Sequence, residues 1–258
     1  MRVFATLGNP DFVAAFLAGL LPLTFFLASE FRRQRWLLIG LAALQAGAIL
    51  ATGSRAPILA LGAALLWTMG LRARRLAYVF GLSAVCIVTL AAVYSPARDL
   101  RTTLRGRLYI WEVSASHLDE HLVLGLGPGG FAAAFPAWET QHWRSTPDDR
   151  DRQFAGVEDH AHNDYLEIFV DCGAVGLLGF LAVFVVFLRT VASQRKTARG
   201  PVLAGASAGV VALAAVALVD FPLMRPTEVF LFWSLMAISL LSGPTFVDQR
   251  ANVRSRPD

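Results

Sequence analysis

The sequence predicts an all-α membrane protein of about seven transmembrane helices, with one long exterior loop that itself contains short helices. Two observations carry this expectation. Of the 258 residues, 55% are hydrophobic and only 16% are charged. Mean hydropathy is +0.53, whereas a soluble domain carries about 25% charged residues; the deficit removes intrinsic disorder and most soluble folds. Apolar stretches near the roughly 20 residues that a helix needs to cross a bilayer also recur along the chain.

In order, these stretches are Phe12 to Ala28, Trp36 to Ala51, Ile58 to Leu71, Leu76 to Tyr94, Gly173 to Leu188, Val202 to Val219 and Val229 to Leu241. The third and seventh are short enough to be partly re-entrant. Glycines such as Gly19, Gly47, Gly176, Gly205 and Gly209 interrupt them, which suits close helix packing in lipid. The organisation that follows is residues 1–94 for spans one to four, 95–172 for the exterior loop, 173–245 for spans five to seven, and 246–258 for a cytoplasmic tail.

Orientation follows from the connectors. Arg32, Arg33 and Arg35, then Arg72, Arg74 and Arg75, then Arg189, Arg195, Lys196 and Arg199, and finally Arg250, Arg254 and Arg256 all fall on one side. Only Glu30, Asp248 and Asp258 accompany these thirteen cations. The positive-inside rule makes that side the cytoplasm. The pI near 9.6 is thus mostly topology, and nucleic acid is not an expected partner: the basic residues are spread among short connectors without interleaved aromatics. Seven spans and a cytoplasmic tail leave the N-terminus outside, yet Met1 to Pro10 holds no cleavable signal. Further spans are therefore expected before Met1, making this the C-terminal part of a larger bundle. Cys86 and Cys172 are too few for a disulfide framework and are expected to be free.

The loop from Ser95 to Cys172 carries the chemistry-bearing residues. Gly106 to His121 is expected as a helix with Leu108, Trp111, Ser114, Ala115 and Leu118 on one side, lying at the interface or docked. Gly125 to Gly130 (GLGPGG) breaks the chain, Phe131 to His142 forms a short segment, and Ser145 to Asp159 is polar. The glycines match G-x-G-x-x-G literally, but no strand-helix-strand unit follows, so a sharp turn whose exposed amides could bind an anion is expected instead of a dinucleotide site.

The densest polar cluster is His160-Ala161-His162-Asn163-Asp164-Tyr165-Leu166-Glu167, ending at Asp171, Cys172 and Gly173. If a helix begins near Asn163, then Asp164, Glu167 and Asp171 share one face at its outer mouth. A solvated, acid-rich helix N-terminus would account for the carboxylates; two histidines and an asparagine add more polar function than a cap needs. A metal site would need further ligands. His-x-His-x-Asp continues with Tyr165 instead of histidine, and His117 and His121, at i and i+4, are the other pair able in principle to hold one. Arg55, in TGSRAP, lies at an outer connection where the positive-inside bias would not put it, and Arg107, in GRLYIW, opens the loop helix. Fixed bidentate cations of this kind suit a phosphate or diphosphate, although Arg107 could also serve as a headgroup anchor.

The succession TGSRAP, GRLYIW, LGLGPGGF, HAHNDYLEIFVDCGAVG and DFPL closely resembles the C-terminal part of the O-antigen ligase and polymerase superfamily of bacterial envelopes. The most specific element is His162-Asn163 followed, after nine intervening residues, by Gly173-x-x-Gly176. The resemblance implies an integral membrane glycosyltransferase that uses a polyprenyl-diphosphate-linked glycan on the periplasmic face of the inner membrane, with no metal or other cofactor. It places the family's loop histidine on His162 and its donor-binding arginines on Arg55 and Arg107, with Arg225 or Arg105 as candidates for a third. An acceptor hydroxyl needs a base as it attacks the anomeric carbon, and neutral histidine titrates in the suitable range. His162 is therefore expected as general base. Asp164 or Glu167 would orient it, and His160 and Asn163 would support it.

The implied donor is an undecaprenyl-diphosphate-linked glycan, and the acceptor lipid A-core or another glycan or protein hydroxyl. Ligation and repeat-unit polymerisation use the same chemistry and are not separated by these residues. A transporter is the alternative from another class, but its polar site would lie near the bilayer midplane, whereas this cluster lies at one face. A reporter fused after Arg150 should map to the exterior and one after Lys196 to the cytoplasm; an interior Arg150 would overturn the loop assignment.

Overall fold

A computed structural model describes residues 8–70, 100–118, 122–146, 153–154, 156, 158–194 and 200–242. Its helices are α1 (Pro10–Glu30), α2 (Arg35–Thr52), α3 (Ala56–Gly70), α4 (Leu100–Ala115), α5 (Gly130–Ser145), α6 (Asp164–Gln194), α7 (Gly200–Val216) and α8 (Pro226–Leu241). Short 3-10 turns lie at Arg32–Gln34 and Pro222–Met224, and no strand occurs among the described residues. Six of the seven anticipated apolar segments coincide with helices. The fourth, Leu76 to Tyr94, and the tail 246–258 lie outside the described residues. Pro10–Glu30, Arg32–Thr52 and Asp164–Gln194 are long and apolar enough to cross a membrane, while α3, α7 and α8 are shorter apolar helices.

The chain divides into two compact units. The first comprises α1, α2, α3, α7, α8 and the end of α6 from Val185. Helix α1 starts sharply because the Asn9 side chain caps it, accepting the Asp11 N–H at 2.9 Å, and Pro10 is preset for the first turn. Helix α2 stops at Gly53, whose φ of 66° supplies a left-handed cap.

Helix α7 is the centre of this unit, with α1, α3 and α8 packed around it. It is rich in alanine and glycine and buried nearly all round. Backbones approach closely at its small residues: a Cβ on Gly209 would stand 2.2 Å from the Gly19 carbonyl oxygen, and one on Gly205 would stand 2.9 Å from the Leu23 Cα. This GASAG stretch is a small-xxx-small contact of the kind that holds helices in lipid, where dispersion and close fit replace the hydrophobic effect. Trp67 Nε1 of α3 adds a 2.9 Å hydrogen bond to Ser207 Oγ of α7. By contrast Trp36, Leu37, Leu44, Leu59 and Leu66 are exposed, the apolar outer surface that a bilayer covers.

The second unit comprises α4, α5, α6 as far as Phe184, and the segment Ala217–Met224. Its core is Tyr109, Ile110, Val113, Phe131, Phe135, Ala161 and Val170. The buried face of α4 is thus rotated from the anticipated one: Tyr109, Ile110, Val113 and Ser114 point inward, while Leu108 is 55% exposed. The partner decides this, because Tyr109 Oη donates to the buried Glu139 carboxylate of α5 and accepts from Trp143 Nε1 at 2.7 Å. Burial pushes the Glu139 carboxyl up, against the hydrogen bonds from the Gly156 N–H and Tyr109 that pull it down.

Glycine at α7 is testable. Gly209→Ala should lower stability by about 1–3 kcal/mol, the usual cost of overpacking. Gly62→Ala, where a Cβ meets nothing within 4 Å, should be neutral. Thermal unfolding in detergent compares the two, and equal melting points would refute the close contact.

Candidate functional site

Helix α6 begins at Asp164, next to the anticipated Asn163 start, and is broken at Gly173, where the apolar span opens. The break has φ 65° and ψ −170°, a conformation that is essentially glycine's alone. It releases backbone groups that a continuous helix would use internally, and the loop 122–127 takes them up. Ala174 N–H donates to Leu122 O at 2.8 Å and Val175 N–H to Val123 O at 3.3 Å; Leu126 N–H donates to Val170 O at 2.9 Å and Gly127 N–H to Asp171 O at 2.8 Å. The approach is tight. A Cβ on Gly173 would lie 2.2 Å from Val123 O, and one on Gly125 would lie 2.5 Å from the Asp171 backbone.

The glycine turn and the start of α5 are fixed by the same strap. Asp171 accepts the Gly129 N–H at 2.8 Å through Oδ2 and the Phe131 N–H at 2.9 Å through Oδ1. The anion anticipated on the GLGPGG amides is therefore the chain's own carboxylate, which complements the start of α5.

The three acidic residues of α6 share one face of its opening turns, as the spacing predicts, but each serves a different partner. Asp164 Oδ2 accepts the Leu223 N–H at 2.8 Å, and the Asp164 N–H donates to Ala217 O at 2.9 Å. Glu167 accepts the Ala161 N–H at 2.9 Å through Oε2, and its Oε1 lies 2.8 Å from His160 Nδ1. Asn163 caps α6, its Oδ1 accepting the N–H of Tyr165 at 3.0 Å and of Leu166 at 3.1 Å. Ala161 is fully buried, and its carbonyl accepts Trp111 Nε1–H at 2.9 Å.

Between these pinned neighbours stands His162. It is the one non-glycine among the described residues with positive φ, 50°. A left-handed residue of this kind costs on the order of 1–3 kcal/mol and persists where the surroundings enforce it. The conformation presents the imidazole to two carboxylates: Nε2 lies 3.6 Å from Glu158 Oε2 and Nδ1 lies 3.8 Å from Asp220 Oδ1. Phe221 wedges between the histidines, stacked on His160 at 4.2 Å and edge-on to His162 at 5.0 Å. Burial alone would hold the His162 pKa down, but Asp220 and Glu158 outweigh it and raise the value from 6.5 to about 9, with the positive field of Arg107 opposing them.

These contacts correct two expectations. Neither Asp164 nor Glu167 orients His162, because the first holds the Leu223 amide and the second holds His160; the carboxylates at the imidazole are Glu158 and Asp220. The carboxylate neighbours also favour the charged form of the ring, where a neutral imidazole was expected. Asp220 lies in the DFPL stretch, 58 residues beyond His162, and only the resemblance drew attention to that stretch.

Arg107 is half-buried on α4 and acts electrostatically on His162. Arg55 is half-buried at the turn between α2 and α3, in the other unit, where its carbonyl accepts the N–H groups of Ile58 and Leu59. Arg225 is buried, its Nε 2.8 Å from Glu228 Oε1 and its guanidinium 4.1 Å over the Phe12 ring, while Arg105 is exposed. Among the described residues no group of three His, Cys, Asp or Glu side chains is arranged to hold a metal ion. Cys172 is a free thiol.

An apolar helical frame with a polar, histidine-centred turn at the start of one helix defines a class of integral membrane protein. A family model described as O-antigen ligase matches residues 40–181. The match covers more than half of the chain, including Arg55, Arg107 and His162, and the chain belongs to the O-antigen ligase family. It is accordingly a membrane protein of polysaccharide biosynthesis, with the lipid-linked glycan donor and glycan acceptor of that family in general. No curated protein matches the sequence.

Glu167→Ala removes the acceptor for a buried N–H and for His160. It should destabilise the protein by about 1–3 kcal/mol, whereas Asp159→Ala, at an exposed position, should have little effect. Thermal melting in detergent distinguishes them, and an unchanged Glu167→Ala melting point would show that the turn is held by other contacts.

Proposed function

We propose that the chain transfers a polyprenyl-diphosphate-linked glycan to an acceptor hydroxyl on the exterior face of the inner membrane, in the manner of an O-antigen ligase, with His162 at the reacting centre. The observation that carries the proposal is the enforced left-handed turn at His162, which aims an imidazole at Asp220 and Glu158 within the electrostatic reach of Arg107. Strain sustained at one polar residue is characteristic of functional sites.

The chemistry follows from the charges. A diphosphate leaves readily when its developing charge is neutralised, and arginine supplies fixed, planar, bidentate donors for that purpose. Arg107 and Arg55 are assigned to the diphosphate. The acceptor hydroxyl gives up its proton as it attacks the anomeric carbon, His162 takes that proton, and a single displacement inverts the anomeric centre. Asp220 and Glu158 stabilise the imidazolium as it forms. His160, held by Glu167 and Phe221, lines the same turn and supports the acceptor side. Repeat-unit polymerisation and protein O-glycosylation would use the same groups on other acceptors.

The raised pKa favours a second assignment: a His162 that stays charged and faces the diphosphate, with Asp220 or Glu158 accepting the proton. The pH dependence of transfer separates the two. If His162 is the base, only its neutral fraction reacts, so the rate should rise about tenfold per pH unit through neutrality and level off near 9. If the imidazolium is the working form, the rate should be flat through neutrality and fall above about 9.

In either assignment His162→Ala should lower single-turnover transfer by roughly two to four orders of magnitude with donor binding little changed. Arg55→Ala and Arg107→Ala should weaken donor binding itself, and His160→Ala should do less than His162→Ala. Normal turnover in His162→Ala would remove histidine chemistry and leave the turn as a helix cap.

Metal independence gives a separate test. Because arginines are assigned to neutralise the diphosphate, transfer by purified protein should survive EDTA. Loss of transfer that magnesium, manganese or zinc restores would transfer that role to a metal ion, with His160, His162 and Asp164 as the ligands to examine.

A further inference from the structure

The loop that fills the α6 break carries a feature that glycan transfer does not require. Leu122, Val123 and Leu124 are three consecutive large apolar residues, and they are 46%, 63% and 74% exposed. Their backbone is engaged, because the carbonyls of Leu122 and Val123 accept the N–H groups of Ala174 and Val175. The same bonds set them beside Val175 and Leu178 of α6, which are 59% and 65% exposed. Among the described residues, loop and helix thus share one exposed apolar surface.

The helix itself indicates what covers that surface. Every carboxylate of α6 lies before the break, at Asp164, Glu167 and Asp171, and the next charged residue is Arg189. From Ala174 to Gln194 the helix rises about 31 Å at 1.5 Å per residue, which matches a hydrocarbon core of about 30 Å, with Arg189 near enough to the far end to reach the surface. Polar residues therefore end, and the lipid-crossing part begins, at Gly173. Residues hydrogen-bonded to Ala174 and Val175 lie at that same depth.

We propose that Leu122–Leu124 is a membrane-seated prong whose side chains enter the acyl region of the bilayer beside α6. The occupant of the apolar surface is lipid acyl chain. Because Gly125–Gly130 follows directly and is tied to Asp171, the prong fixes the height of that turn above the hydrocarbon. This inference rests on the membrane span and not on the transfer chemistry.

Depth-dependent quenching tests it. Leu124→Cys, in the full chain with Cys86→Ala and Cys172→Ala, is labelled with an environment-sensitive fluorophore and reconstituted in phosphatidylcholine and phosphatidylglycerol vesicles. Part of the lipid carries a nitroxide near the headgroup end of the acyl chain. Leu178→Cys is the lipid-facing reference and Gln141→Cys, exposed on α5, the aqueous one. The expected result is quenching at position 124 close to that at 178 and several-fold above that at 141. Water-like emission with quenching no greater than at 141 would place the loop in solvent and overturn the proposal. Blue-shifted emission without nitroxide quenching would mean that protein covers the loop, and would overturn it equally. Val123→Cys provides a second site if the Leu124 variant does not fold. The readout is independent of glycan transfer, so a failure of that chemistry leaves this test unaffected.

Discussion

A backbone that leaves helical geometry at the edge of a membrane must find hydrogen-bond partners within the protein, because lipid offers none. The Gly173 break meets that demand through the loop 122–127, and much of the second unit is arranged around the solution. Four backbone bonds tie the loop to the break, Asp171 then fixes the start of α5, and α5 supplies Phe131 and Phe135 to the core against which α4 packs. Gly173 and Gly125 are glycines because both positions bring backbone against backbone at distances that no side chain allows.

The same economy governs the polar turn ahead of α6. Each carboxylate there has a structural duty: Asp164 holds the Ala217–Met224 segment through the Leu223 amide, Glu167 holds Ala161 and His160, and Asp171 holds the glycine turn. Holding Leu223 and Ala217 also ties down the two ends of the segment that carries Asp220. His162 is left as the point where these restraints converge, in a conformation that its own propensity would not choose. Its carboxylate neighbours stabilise positive charge there, and Arg107 moderates them. That balance is what a proton-accepting or charge-stabilising group needs, since either use depends on the proton's affinity being set by surroundings already in place.

The first unit works by a different rule. Its helices gain little from excluding water once they are in lipid, so fit matters more than hydrophobicity. Helix α7 is built accordingly, with Gly205 and Gly209 admitting the backbone of α1, and the Trp67–Ser207 hydrogen bond adding direction. Large apolar side chains such as Trp36, Leu44 and Leu59 are turned outward. The buried Arg225–Glu228 pair at the start of α8 lies under the Phe12 ring, where each charge has a partner, as ionisable groups near lipid require.

Much of this was legible in the sequence. Apolar run length located the helices, because crossing a bilayer needs a stretch of near-fixed length, and the small residues of α7 announced close packing. The cluster from His160 to Glu167 was conspicuous because so many polar groups at a membrane boundary demand an account. The glycine turn, Arg107 and Arg55 were conspicuous for like reasons. What the sequence could not decide was which carboxylate serves which donor. Asp164 is the nearest acid along the chain, yet Glu158 and Asp220 face His162, because Asp164 and Glu167 are taken up by the Leu223 amide and by Ala161 and His160. Likewise the buried side of α4 depended on Glu139 and Trp143, thirty or more residues away. Chain composition and spacing fixed the elements and the chemically active types; the pairing of charges, and with it the direction in which the His162 pKa moves, was decided by tertiary structure, since electrostatic influence depends on separation in space and on burial, neither of which sequence distance measures.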